Sequence, residues 1–147
     1  MTSSAQAACE DALLAILQAD ATLAALAGPP QLFEPQDPKD EHVWISEDST
    51  ETQEASLTGN IPERREDFTI GVVVFVVKTG DDYKRTRDRG VVLVAAIEGL
   101  VKANPQLAGA AWYAEVVGIV RTSAAWDKRR GVVHVVSVRC RQYLLGP

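Results

Sequence analysis

Phe68-Thr-Ile-Gly-Val-Val-Val-Phe-Val-Val-Lys78, followed by Thr79-Gly80-Asp81-Asp82, is the stretch whose reading decides the fold. Successive side chains of a strand point to opposite faces, so Ile70, Val72, Val74 and Val76 share one face and Val73, Phe75 and Val77 the other. Both faces are apolar, which predicts a central strand covered on both sides. Helices can cover one side; the other calls for more of the chain or a neighbouring subunit. Asp81 or Asp82 can accept bonds from the free amides of a helix start. The spacing then predicts a helix from about Tyr83 to Ala103, with Tyr83, Val91, Leu93, Val94, Ile97, Leu100 and Val101 forming a broad apolar stripe. Asn104-Pro105 through Gly109 closes it, and Trp112 begins the next extended segment. Glu66 to Glu115 therefore reads as a β-α-β unit with no catalytic signature inside it.

On the N-terminal side, Ala5 to Ala27 reads as one amphipathic helix with Leu13, Leu14, Ile16, Leu17, Leu23 and Leu26 at helical intervals. Gly28-Pro29-Pro30 stops it. Gln31 to Glu41 reads as irregular, Val43-Trp44-Ile45 as a short strand, and Ser46 to Gln53 as a polar loop or hairpin tip. Glu54 to Ile61 is a second short strand ended by Pro62. On the C-terminal side, Ala111 to Thr122 and Val132 to Leu144 read as strands joined by the charged hairpin loop Trp126 to Gly131. Arg139 and Arg141 share a face at an exposed sheet end.

A chain of 147 residues fits one domain, 1–147, with a single two-layer core. No basic signal region and no apolar run of spanning length opens the sequence, which predicts cytoplasmic synthesis and no membrane role. The net charge of −5 is unevenly spread. Up to Glu63 there are 12 acidic residues and one basic residue; from Arg64 there are 8 acidic and 14 basic. A dipolar chain of this kind can support head-to-tail contacts between copies of itself, and the acidic half can equally be a solvated loop.

Signals for chemistry are weak. His42 and His134 are too scattered for a metal site or a triad, and His134, alternating with valines, reads as a satisfied, half-buried histidine. Cys140 reads as a small core hydrophobe; a Cys140–His134 pair fails, because six strand residues span about 20 Å. Cys9 and Cys140 suggest no disulfide framework. Glu47, Asp48, Glu51 and Glu54 lack the spacing of a calcium loop. No glycine pattern cradles phosphate, so no cofactor and no metal is expected. Arg85 and Arg89, with Lys84 and Arg87, crowd the positive end of the long helix, where an anionic partner or nearby carboxylates would account for them. Arg64-Arg65 and Lys128-Arg129-Arg130 are short basic runs without interleaved aromatics, and a pI of about 5.0 does not suit a dedicated nucleic-acid binder. Trp44 and Trp126 flank polar loops, as interface anchors or as core plugs.

The chain resembles the tail terminator proteins of long-tailed bacteriophages, the lambda minor tail protein U type. The likeness rests on Ala12-Leu-Leu-Ala-Ile-Leu17 and an acidic middle, then Arg65-Glu-Asp-Phe-Thr-Ile-Gly-Val-Val-Val74 and Gly80-Asp-Asp82 entering a helix. Asn104-Pro-Gln-Leu-Ala-Gly109, Tyr113-Ala-Glu-Val-Val-Gly118 and the final strand complete it. It implies an α+β fold, with a mixed or mostly antiparallel sheet of about four to five strands and two α-helices packed on one face. It also implies a virion protein at the tail-neck junction: a ring, usually a hexamer, that caps the tail tube, ends tail elongation and joins the tail to the head. The implied partners are further copies of the chain, the tail tube protein and a head-tail connector or stopper protein. DNA would pass through the lumen without specific binding. On that reading Trp44, Trp126, Arg64, Arg65, Lys128, Arg129, Arg130, Arg85 and Arg89 are candidate interface residues. The acidic loop or hairpin around 46–63, with Glu47, Asp48, Glu51 and Glu54, is a candidate for the lumen or a neighbour. The alternatives are another neck or connector protein, or a small non-enzymatic adaptor.

Overall fold

The structure, a computed structural model, describes residues 5–58, 61–80, 82–126 and 129–145, and their side chains except those of 47–58, 61–65, 124–126 and 144–145. The elements run α1 (Gln6–Ala19), α2 (Ala21–Ala24), β1 (Gly28–Leu32), β2 (Glu41–Thr58), β3 (Ile61–Thr79), α3 (Tyr83–Ala103), β4 (Tyr113–Trp126) and β5 (Arg129–Leu145), with a short 3₁₀ turn at Leu107–Gly109.

The strands form one mixed sheet in the order β1-β2-β3-β5-β4, and only β1 and β2 pair in parallel. The β-α-β reading holds with one amendment. β3 and β4 both run antiparallel to β5, so they are parallel to each other, but β5 lies between them and α3 crosses over it.

The helices pack on one sheet face. Cys9, Leu13 and Leu17 of α1 lie four residues apart, one turn above another, and meet Leu93, Ile97 and Val101 of α3 over Phe68, Ile70, Val72, Val74 and Val76. Full burial of each Leu or Ile here stabilises the fold by about 1.5–3 kcal/mol. Glu66 is the one fully buried carboxylate among the described residues, and its Oε1 accepts from the Ala5 amide at 2.9 Å, tying the start of α1 to β3.

Local chemistry sets the boundaries. α3 starts where the Asp82 carboxylate accepts from the Arg85 amide at 3.0 Å and ends where Asn104 donates to the Leu100 carbonyl at 2.9 Å. The expected single N-terminal helix breaks at Asp20, which is extended (ψ 126°) and accepts from the Leu23 amide at 3.1 Å to start α2. A short acidic side chain that competes for backbone donors favours a cap over a continuous helix.

Three other expectations change. The helix already ends at Ala24, and Gly28-Pro29-Pro30 enters the edge strand β1, where prolines are tolerated because the outer edge needs no donors. Segments 43–45 and 54–61 are expected as short strands separated by a loop; instead 43–58 lies in one long β2 with a bulge between Ile45 and Ser49, and Ile61 already opens β3. The outer part of that strand pairs with β3 as a hairpin, Glu54 opposite Arg65 and Thr58 opposite Ile61. The second face of β3 also needs less outside cover than its sequence suggests. Val73 and Val77 are already buried, and Trp44 (6% exposed) packs between His42 and Phe75 at ring distances of 5.7 and 6.1 Å.

Candidate assembly surface

Exposed apolar side chains concentrate on β4 instead. Tyr113, Val117, Ile119 and Val120 are exposed, Val120 at 63%, and Trp112 just before the strand stands 53% exposed against Tyr143 at a ring distance of 5.1 Å. β4 pairs only with β5, so its other backbone edge is open among the described residues. Exposed apolar side chains on an edge strand mark an interaction surface. Aromatic residues, which anchor most interfaces, lie at its start. The irregularity between Val116 and Gly118 bends the strand there and works against simple edge-to-edge pairing.

Between β4 and α3 runs an open groove of ≈ 410 Å³ lined by Val91, Val94, Ala95, Glu98, Ile119, Arg121 and His134. The sequence places Val91 in the apolar stripe of α3; here it stays exposed and forms the groove wall. Arg121 forms no ion pair among the described residues. His134, expected to be satisfied, is 3% exposed, and neither ring nitrogen has a hydrogen-bond partner among the described residues. Such burial costs about 1–3 kcal/mol. Burial, with the Arg121 charge beside it, pushes the imidazole below its ordinary value and keeps it neutral. His42 is the contrasting case: its Nδ1 accepts from the Lys39 amide at 3.0 Å, so Nε2 carries the proton and donates to Gln31 Oε1 at 3.0 Å.

The opposite sheet edge carries its own unusual residue. Phe33, directly after β1, is 50% exposed with φ 66°. A bulky residue held at positive φ stores roughly 1–3 kcal/mol of strain. Its amide donates to the Ile45 carbonyl at 2.8 Å and its carbonyl accepts from Gln31 Nε2 at 3.2 Å, so the backbone is pinned while the ring projects. Nothing in the local sequence signals this conformation.

The other candidate residues fall in several places. Trp44 is a core plug on the second sheet face. Arg89 donates to Glu41 Oε2 at 2.6 Å and Lys78 to Glu41 Oε1 at 3.2 Å, while Lys84 and Arg87 pair with Asp88, so carboxylates account for three of the four cations at the start of α3. Arg85 is exposed beside that network. Arg129 lies 3.7 Å from Asp40, and Arg130 is half-buried. Lys128 lies outside the described residues. The side chains of Trp126, Arg64, Arg65, Glu47, Asp48, Glu51 and Glu54 lie outside them too, although their backbones sit in β2, β3 and β4. Arg139 pairs with Glu115, and Arg141 with Asp67 at 2.7 Å.

The cysteines, at opposite ends of the sequence, meet in the core. Both are buried free thiols, and Cys9 Sγ donates to the Ala110 carbonyl at 3.2 Å. A hydrogen bond with Cys9 and burial both push the Cys140 thiol up, out of the reactive range. Among the described residues no cluster of His, Cys, Asp or Glu could hold a metal ion, and no helix is long and apolar enough to cross a membrane.

No known protein-family profile matches the chain, and no curated protein matches it. Among solved structures it is similar to a chain from the virion of a native gene transfer agent particle, at a TM-score of 0.47 and 17% identity, over 95% of this chain and 99% of that one. Likeness at that level is too low to carry an inference about function.

Proposed function

We propose that this chain is a structural ring subunit of a phage-like particle, non-enzymatic, that caps the tail tube, ends its elongation and joins the tail to the head. The observation that carries the reading is the set of exposed apolar and aromatic side chains on and just before β4, an edge strand among the described residues. A surface of that kind serves assembly. The sequence resemblance to tail terminators and the uneven charge between the two halves of the chain support the same reading. Its partners are copies of itself, the tube subunit on one side and a connector or stopper protein on the other.

In this role the acidic hairpin of β2 and β3, with Glu47, Asp48, Glu51 and Glu54, faces the lumen or a neighbour. An acidic lumen repels DNA phosphates and lets a duplex slide without sticking. Neutral replacements at these four positions slow genome passage if the hairpin is luminal; unchanged passage through normal tails removes that assignment.

The test of the role itself is loss of the chain from the particle. Tails of abnormal length, shortened again to a uniform length by adding the purified protein, support a terminator. Tails of normal length that fail only to join heads favour a connector, and a chain that binds neither tails nor heads favours an adaptor.

A further inference from the structure

We infer that the groove between α3 and β4 receives Phe33 from a second copy of this chain, with Glu34 and Asp37 of that copy facing Arg121. The inference rests on the ring reading and names the surfaces that would close the ring.

Four observations meet here. First, the knob and the groove lie at opposite ends of the strand order, Phe33 beside β1 and the groove beside β4. Contact between unlike surfaces at opposite edges is heterologous, the type that propagates head to tail and closes into a ring when the rotation permits. Second, the groove is apolar where a phenyl ring would lie, between Val91 and Ile119, and its ≈ 410 Å³ accommodates one. Third, the charges are complementary. From Ala5 to Pro38 there are five acidic residues and no basic one, and Glu34 and Asp37 beside the knob are exposed. The groove offers Arg121, which forms no ion pair among the described residues. Fourth, both halves carry features that their own fold does not repay: a bulky residue pinned at positive φ on one edge, and on the other a buried imidazole beneath the groove with no hydrogen-bond partner among the described residues. Departures of that kind collect where function demands them.

The geometry argues against a simpler pairing of two β4 edges. The strand irregularity at Val116–Gly118 interrupts the ladder that contact needs.

The test uses the full chain and its mass in solution. Phe33→Gly removes the knob and relaxes the positive φ, so it melts no lower than the parent chain yet loses the ring. Arg121→Glu loses the ring as well, and so does the double variant Glu34→Lys/Asp37→Lys. Mixing those last two preparations restores it, because every contact between unlike variants again joins opposite charges. Folding of each variant is checked by circular dichroism. Rings that persist in both Phe33→Gly and Arg121→Glu overturn this docking surface and leave the ring itself standing. A parent chain that stays monomeric at every concentration, alone and with tail tubes, overturns both.

Discussion

Gly90 of α3 lies directly over the ring of His134 on β5: a Cβ added at Gly90 would sit 2.5 Å from Cε1 and 2.8 Å from Nδ1 of that imidazole. Alanine in place of a mid-helix glycine normally stabilises a helix by roughly 1 kcal/mol. Here the sign reverses. Gly90→Ala is expected to destabilise by about 1–3 kcal/mol, because α3 must move off the sheet or the ring must leave its place. Urea unfolding measures the change, and Gly90→Ala combined with His134→Val should recover most of it. Equal or greater stability in the single variant would show that the helix is not seated on the histidine.

Acid should weaken the fold through both histidines. Burial pushes His42 and His134 below their ordinary value, with the Lys39 charge adding to the effect at His42 and Arg121 at His134. Below the unfolded value of about 6.5 the unfolded chain takes up protons that the folded chain resists. Their stabilising effect is therefore whole above that pH and is lost as pH falls toward the lower folded values. His134→Phe should flatten the part of the slope due to this residue, as read from melting temperatures across that range. A slope unchanged by the substitution would mean that His134 titrates normally.

Glu41 joins β2 to the start of α3. Burial pushes its carboxyl up, but hydrogen bonds and charges from Arg89 and Lys78 outweigh that and hold it below the usual range. Glu41→Gln leaves two cations facing each other and should cost about 1 kcal/mol, a partly screened network loss. Thermal melts at low and high salt check this, with the loss shrinking as salt rises.

The Cys9 and Cys140 thiols are both fully buried, so they should resist alkylation in the native protein and react only once it unfolds. Labelling of either thiol at the rate of a free cysteine would place α1 off the sheet.

Much of this architecture could be read from the sequence where a residue's chemistry acts locally. Asp82 and Asn104 bound α3 as expected, because caps declare themselves within a few residues. β3 reads as central because its alternation is apolar on both faces. The middle of β2, Ser46 to Gln53, did not declare itself, since this polar segment has no periodicity of its own and pairs with β3 instead. β1 was hidden by Pro29 and Pro30, which forbid a helix but not an edge strand. The assembly surface was the least legible. Exposure of Val91, Ile119 and Val120 depends on where α3 and the sheet end laterally, and the φ of Phe33 is imposed by tertiary pinning. Gly90, a glycine inside an otherwise strong helix, was the one local signal that something packs close there.

The central claim is tested most directly by the native mass of the purified chain in solution. The account predicts a closed homo-oligomer, six copies of the 15.9 kDa chain if the resemblance to hexameric terminators holds. A single 15.9 kDa species at every concentration, unchanged when tail tubes are added, would contradict it.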